Sequence, residues 1–204
     1  MAGPGFPRWA WQASLAALAG AALLVALLLG LALGGVGEVR PVGTLTLDRV
    51  PADSVTLADS GAHLFTPLDA ALRPPGSAEL TLTLTDGPPE TGYGVWAAGD
   101  SGETLAVAVT GTGYYGAFLL GEGDAGRLDD WRPYPHVRPV GQPNRIRLDV
   151  RGSILEVRVN DELAGAYPFR SGLGEVGVYV ETFEAGGATV TPARLRLWSL
   201  YPEP

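Results

Sequence analysis

Hydrophobic positions along the chain fall into two regimes. From Ala13 to Val36 the chain reads ASLAALAGAALLVALLLGLALGGV, with no charged residue. At about 1.5 Å rise per residue, roughly 20 apolar residues cross a bilayer core of about 30 Å as a helix. From Thr44 onward the period is two: Leu45 and Leu47 alternate with Thr44, Thr46 and Asp48. The clearest case is ELTLTLT at Glu79–Thr85, which sets Leu80, Leu82 and Leu84 on one face and three threonines on the other. The same alternation predicts strands over Gly92–Ala98, Glu103–Thr110, Tyr114–Leu120, Asn144–Arg151, Ile154–Val159, Glu175–Phe183 and Ala188–Leu200. Turn signals separate them: Asp86-Gly87, Gly99-Asp100, Gly111, Gly121 to Gly126 and Gly186-Gly187. No stretch after the apolar run sustains a helical period. Many short strands with regular turns predict an all-β fold, an antiparallel sandwich or barrel.

One hairpin can be registered residue by residue. Gly152-Ser153 fits a two-residue type II′ turn. Arg151 then faces Ile154, and the pairs Val150–Leu155, Leu148–Val157 and Ile146–Val159 form one apolar face. On the other face Asp149 lies opposite Glu156 and Arg147 opposite Arg158, with the diagonals Asp149–Arg158 and Arg147–Glu156 complementary. Four charges on one face predict a solvated surface. The next dipeptide, Asn160-Asp161, is also a turn signal. A two-residue loop there would set Glu162 against Val159 on the apolar face, so a longer or bulged loop is expected.

The change of period divides the chain into a stub (1–8), an apolar helix (9–36), a linker (37–43) and a β domain (44–204). Trp9 and Trp11 suit the headgroup level at one end of a span. The helix reads as an uncleaved signal anchor, or as a signal peptide cut near Ala32-Leu33-Gly34. Arg8 and the α-amino group on one side nearly balance Arg40 and Arg49 on the other, so charge does not fix the orientation. Both readings carry the C-terminal domain out of the cytoplasm, as a single-pass membrane protein or a secreted one.

Charge narrows the partners. The residues after the apolar run carry 13 Arg and 22 acids, a balance of −9. Nucleic-acid binders carry a basic patch, so nucleic acid is excluded as a partner. The chain has no Cys. Disulfides, thiolate metal sites and a lipid-attachment cysteine are excluded with it.

The order of pieces GYGVWAAGDSGETLAVAVTGTGYYGAFLL, a loop with DDW, NRIRLDVRGSILEVRVNDELAGAY and GEVGVYVETFEAGGATVTPARLRLWSL resembles the concanavalin A-like (laminin G-like) jelly-roll domains of bacterial surface proteins. Some of these are grouped with domains related to sugar-processing enzymes. The resemblance spans Glu79 to Leu200, with Asp161 where the family's hairpin has glycine. It implies two stacked antiparallel sheets with one concave face.

Glucan hydrolases of this fold class carry a pattern like E-x-D-x-x-E on one strand, which this chain lacks; Glu181-Thr182-Phe183-Glu184 is the nearest approach. A paired-carboxylate glycosidase needs two acids about 5–10 Å apart. Asp129 and Asp130 are neighbours in sequence and point to opposite faces of a strand. His63 and His136 are the two histidines, too few for a His-rich zinc site. Oxygen ligands from Asp124, Asp129 or Asp130 suit calcium, although no EF-hand spacing is present. Trp96, Tyr114, Tyr115, Trp131 and Tyr134 cluster in the middle third, with His136 beside them. Exposed rings bind the apolar faces of sugars and anchor interfaces, whereas buried rings fill a sandwich core. Small neighbours Gly94 and Ala98 single out Trp96 for exposure, and Trp131 follows because DDW reads as loop.

The expected function is a membrane-anchored, non-catalytic module outside the cytoplasm that binds a glycan or a protein. The alternatives are a sugar hydrolase or lyase with a carboxylate pair assembled by folding, and an accessory subunit of a membrane complex. A required cofactor is not expected, calcium aside.

Overall fold

The computed structural model describes residues 17–27, 41, 43–59, 61–99, 102–121, 127–169, 172–183 and 186–200. Two compact units divide the chain at Arg40. In the first, residues 17–27 form a helix whose Leu18, Leu23, Leu24, Val25 and Leu27 are exposed. Among the described residues no helix is long and apolar enough to cross a membrane. The rest of the 9–36 segment predicted to span lies outside the described residues.

The second unit is a two-sheet antiparallel sandwich, with thirteen strands among the described residues. They are β1 (Thr44–Arg49), β2 (Val55–Leu57), β3 (His63–Ala71), β4 (Gly76–Asp86), β5 (Gly92–Gly99), β6 (Thr104–Thr110), β7 (Tyr114–Leu120), β8 (Arg127–Pro133), β9 (Asn144–Arg151), β10 (Ile154–Val159), β11 (Glu162–Pro168), β12 (Leu173–Glu181) and β13 (Ala188–Ser199). One sheet runs β1-β13-β4-β9-β10-β11, with β2 also on β13; the other runs β3-β12-β5-β6-β7-β8. Period-two patterning explains the core between them. Leu80, Leu82 and Leu84 of β4 are fully buried, as are Ile146, Leu148, Val157 and Val159 of the β9–β10 hairpin. From the other sheet come Val95 and Ala97, Val107 and Val109, and Val176, Val178 and Val180.

The β9–β10 register is the predicted one, from Arg151 opposite Ile154 to Ile146 opposite Val159, and Gly152 supplies the positive φ of its turn. Two expectations there are corrected. The charged face is not solvated: Asp149 is 0% exposed, and Arg147 and the neighbouring Glu79 are also buried. Ser77 on β4 donates to Asp149 at 2.5 Å, and Arg147 Nε donates to the same carboxylate at 3.1 Å. Of the predicted diagonals Asp149–Arg158 forms, at 3.7 Å. Arg147 instead reaches Glu79 across the β4–β9 ladder, at 3.7 Å. The second correction concerns Asn160-Asp161, which is a two-residue turn with Glu162 opposite Val159. Both turn residues have positive φ. The bulge comes farther on, between the Val157–Gly165 and Arg158–Leu163 pairs, and it returns Ala164 to the core.

Four strands were not predicted. β2 is three residues long. Pro67 argues against a strand within β3 and is tolerated because β3 is an edge. In β8, read as a loop, bulges against β7 break the alternation. The small residues of β11 carry little pattern.

A ring-lined face on the six-stranded sheet

Alternation assigns each predicted aromatic to one side of the six-stranded sheet. On β7 Tyr115 points into the core and is fully buried, whereas Tyr114 points outward and is 41% exposed. Tyr115 shares a 2.9 Å hydrogen bond with the Tyr167 hydroxyl, which donates to Asp129 at 3.0 Å. Asp129 also pairs with Arg132 at 2.9 Å, and Arg132 donates to the Ala164 carbonyl of β11. That Tyr-Tyr-Asp-Arg chain latches the β8 edge of one sheet to the β11 edge of the other. Burial raises the Tyr115 and Tyr167 pKa values, so both phenols stay neutral. Tyr134 packs on Tyr115 (5.9 Å between centroids) and on the exposed His136 (5.3 Å). The His136 carbonyl accepts from Asn160 Nδ2 at 2.7 Å. Tyr115, Tyr134 and His136 therefore belong to the interior and to the turn beside β9.

Trp96 and Trp131 lie on the opposite, outer face. Trp96 is not exposed, as its small neighbours suggested: it is 7% exposed and packs edge-on to Phe65. Its indole lies flat over β12 because Gly177 has no side chain; a Cβ there would come within 2.3 Å of Trp96 Nε1. The Nε1–H donates to the Thr66 carbonyl at 3.3 Å. The residue that makes room for the ring is thus on the neighbouring strand, not beside it on β5. Tyr179 and Phe118 complete this buried layer with Ala106 and Ala108.

A second, more accessible layer stands above it. Trp131 on β8 packs against Phe118 (5.4 Å) and edge-on to Phe183 (5.8 Å), and Phe183 is 47% exposed. Its six-membered ring lies 3.1 Å from where a Cβ on Gly92 would sit, although Gly92 is on β5, three strands away. With strands about 4.8 Å apart, a flat sheet would not allow that reach. The outer face is concave. Glu181 flanks Gly92 from the other side. Tyr179 donates its hydroxyl to Glu181 at 2.9 Å, fixing the carboxylate. Burial, followed by the adjacent Glu181 charge, pushes the Tyr179 pKa up and keeps it a donor. His63, exposed, is the register partner of Glu181 on β3, and its ring lies 5.4 Å from that of Phe65. The face therefore presents one oriented acceptor carboxylate, an imidazole and aromatic walls.

Sequence reasoning had not grouped Phe65, Phe118, Tyr179 and Phe183 with Trp131, because they come from separate strands and meet only through register. The available signal was a ring next to glycine at strand period, as in Gly116-x-Phe118 and Gly177-x-Tyr179. For calcium, Asp124 lies outside the described residues and Asp129 is engaged by Tyr167 and Arg132. Among the described residues no group of three acidic, His or Cys side chains is placed to hold a metal, and Asp130 is exposed on β8.

No family model matches the chain, and no curated protein matches it. Solved structures do. A carbohydrate-binding module, CBM66, from Bacillus subtilis superposes with a TM-score of 0.58 at 16% identity, over 78% of this chain and 98% of that one. Crh5 transglycosylase, in complex with NAG, gives 0.54 at 12% identity, over 81% and 89%. An O-glycanase structure from human gut microbiota gives 0.52 at 8% identity, over 72% and 80%. The fold is the concanavalin A-like jelly roll. Identities this low make the likeness one of fold.

Proposed function

We propose that the chain is a non-catalytic glycan-recognition module, held at the outer side of a bacterial membrane by residues 9–36. The ring-lined concave face is its binding site. One observation carries this reading: Trp131 and Phe183 stand beside a carboxylate whose direction Tyr179 fixes. A pyranose offers an apolar C–H face to a ring and hydroxyl donors to a carboxylate, and this face meets both. The carbohydrate-binding module that shares the fold supports the reading. So does the lack of an E-x-D-x-x-E strand in the sequence. Trp96 and Tyr179 act from beneath, as the bed on which the exposed rings rest.

The test is a glycan array probed with the full-length chain in mild detergent, beside Trp131→Ala and the near-isosteric Glu181→Gln. A hydrogen bond to a charged group contributes about 1.5–3 kcal/mol. Glu181→Gln should therefore weaken binding by about ten- to a hundredfold, and Trp131→Ala at least as much, with melting temperatures confirming folded protein. Parent-level binding by both variants, or no retained glycan on the array, would overturn the assignment.

A further inference from the structure

The sandwich is latched along one side and open along the other. The β8–β11 side is closed by Asp129, Arg132, Tyr115 and Tyr167. On the opposite side, where β1 and β2 of one sheet face edge strand β3 of the other, a cleft of about 500 Å³ opens. This volume falls within the usual range for small-molecule sites, about 300–1,000 Å³. Val55, Leu64 and Leu68 give it an apolar floor continuous with the core, and its charged lining residues are Arg49, Asp53 and Asp69.

Three features set the cleft apart from an ordinary surface groove. First, the half-buried Arg49 side chain makes no hydrogen bond or ion pair among the described residues, while Asp53 and Asp69 stand exposed in the same lining. The Arg49 Nε is covered by protein and has no acceptor, and an unsatisfied buried donor is costly. Second, the β3 ladder slips there. Val176 pairs with Ala70 and Gly177 with Pro67, so Leu68 and Asp69 bulge out of register at the cleft. Bulges of this kind re-aim side chains and are common next to functional sites. Third, Asp69 has φ of 45°, a left-handed backbone that a non-glycine residue adopts at a cost. The strain falls on a lining residue, where glycine would have relieved it and removed the carboxylate.

We propose that this cleft is a second ligand site, on the opposite side of β3 from the ring-lined face. It takes a small zwitterion of the amino-acid or short-peptide class with an apolar side chain. The ligand carboxylate meets the Arg49 guanidinium, its ammonium lies toward Asp53 and Asp69, and its side chain rests on the Leu64–Leu68 floor. Neither a neutral sugar nor a simple anion answers a lining with one cation and two carboxylates; a molecule bearing both charges does.

The probe is the dipeptide Leu-Leu, titrated calorimetrically into the full-length chain, beside its C-terminal amide and its N-acetyl form. Saturable Leu-Leu binding is expected, weakened at least tenfold by either blocking group. Arg49→Gln should remove the penalty for amidation, and Asp69→Asn, which still suits a left-handed φ, should reduce the penalty for acetylation. Glycan retention, measured in parallel, should be unaffected by both substitutions, so failure of this site and failure of the ring-lined face are read separately. No saturable Leu-Leu binding to the folded chain would overturn the proposal. Binding indifferent to both blocking groups, or to Arg49→Gln, would overturn it as well.

Discussion

Asp149 shows how much a single side chain can carry in a sheet. Its carboxylate receives Ser77 Oγ–H and Arg147 Nε–H and lies 3.7 Å from Arg158, with no solvent contact. Removing one partner of a buried ionic cluster costs about 3–5 kcal/mol, because the charge left behind stays desolvated. Asp149→Ala should therefore lower stability by about that much in denaturant titration of the full-length chain. A loss below about 1 kcal/mol would mean that Arg147 and Arg158 find water instead. At this scale the sequence was informative about chemistry and silent about burial. The pairing of Arg158 with Asp149 could be read from hairpin register, whereas Arg147 turns to Glu79 on β4, a strand about 70 positions earlier.

At the scale of elements, rings and glycines on neighbouring strands are designed as pairs. Trp96 lies down on β12 only because residue 177 has no Cβ. Gly177→Ala would place a methyl 2.1 Å from the Thr66 carbonyl oxygen and 2.3 Å from Trp96 Nε1. Overpacking of this order costs about 1–3 kcal/mol. The variant should lose that much stability and, as the indole lifts, shift its tryptophan fluorescence; unchanged stability and emission would show that β3 yields freely. The strands with clean alternation were legible from the chain: β4, β5, β6, β7, β9, β10, β12 and β13. β2, β3, β8 and β11 were not; β13 carries Pro192 and register shifts of its own, but its length keeps the alternation visible. β3 and β8 are edge strands, and an edge needs only one partner, so its sequence is freer to break pattern. Much of the candidate chemistry comes from just these edges. Trp131 rides on β8, His63, Phe65 and Asp69 on β3, which is why the site was only partly visible.

For the whole molecule, the phenols set an alkaline limit. Tyr93, Tyr115, Tyr167 and Tyr179 all have pKa values raised above 10.0, with burial the first cause in each. The folded state holds these protons more tightly than the unfolded chain does. Their contribution is fully present below about pH 10 and is lost as pH rises through the folded values. Melting temperature should stay level on this account up to about pH 10 and fall beyond it, most steeply if Tyr115 and Tyr167 ionise together. A melting curve flat through pH 11 would show that these phenols are not protected.

By itself, the sequence determined the all-β class, the main strands, the β9–β10 register and the resemblance to the concanavalin A-like fold. Those properties follow from spacing between near neighbours in the chain, where the period of two acts directly. The tertiary structure alone decided which rings share a face, how deeply Trp96 is covered, where the charges are buried and which side of the sandwich stays open. Each depends on strands that are distant in sequence being brought into contact. A side chain's exposure is set by what its neighbours on the next strand do with their space, and no local pattern records that.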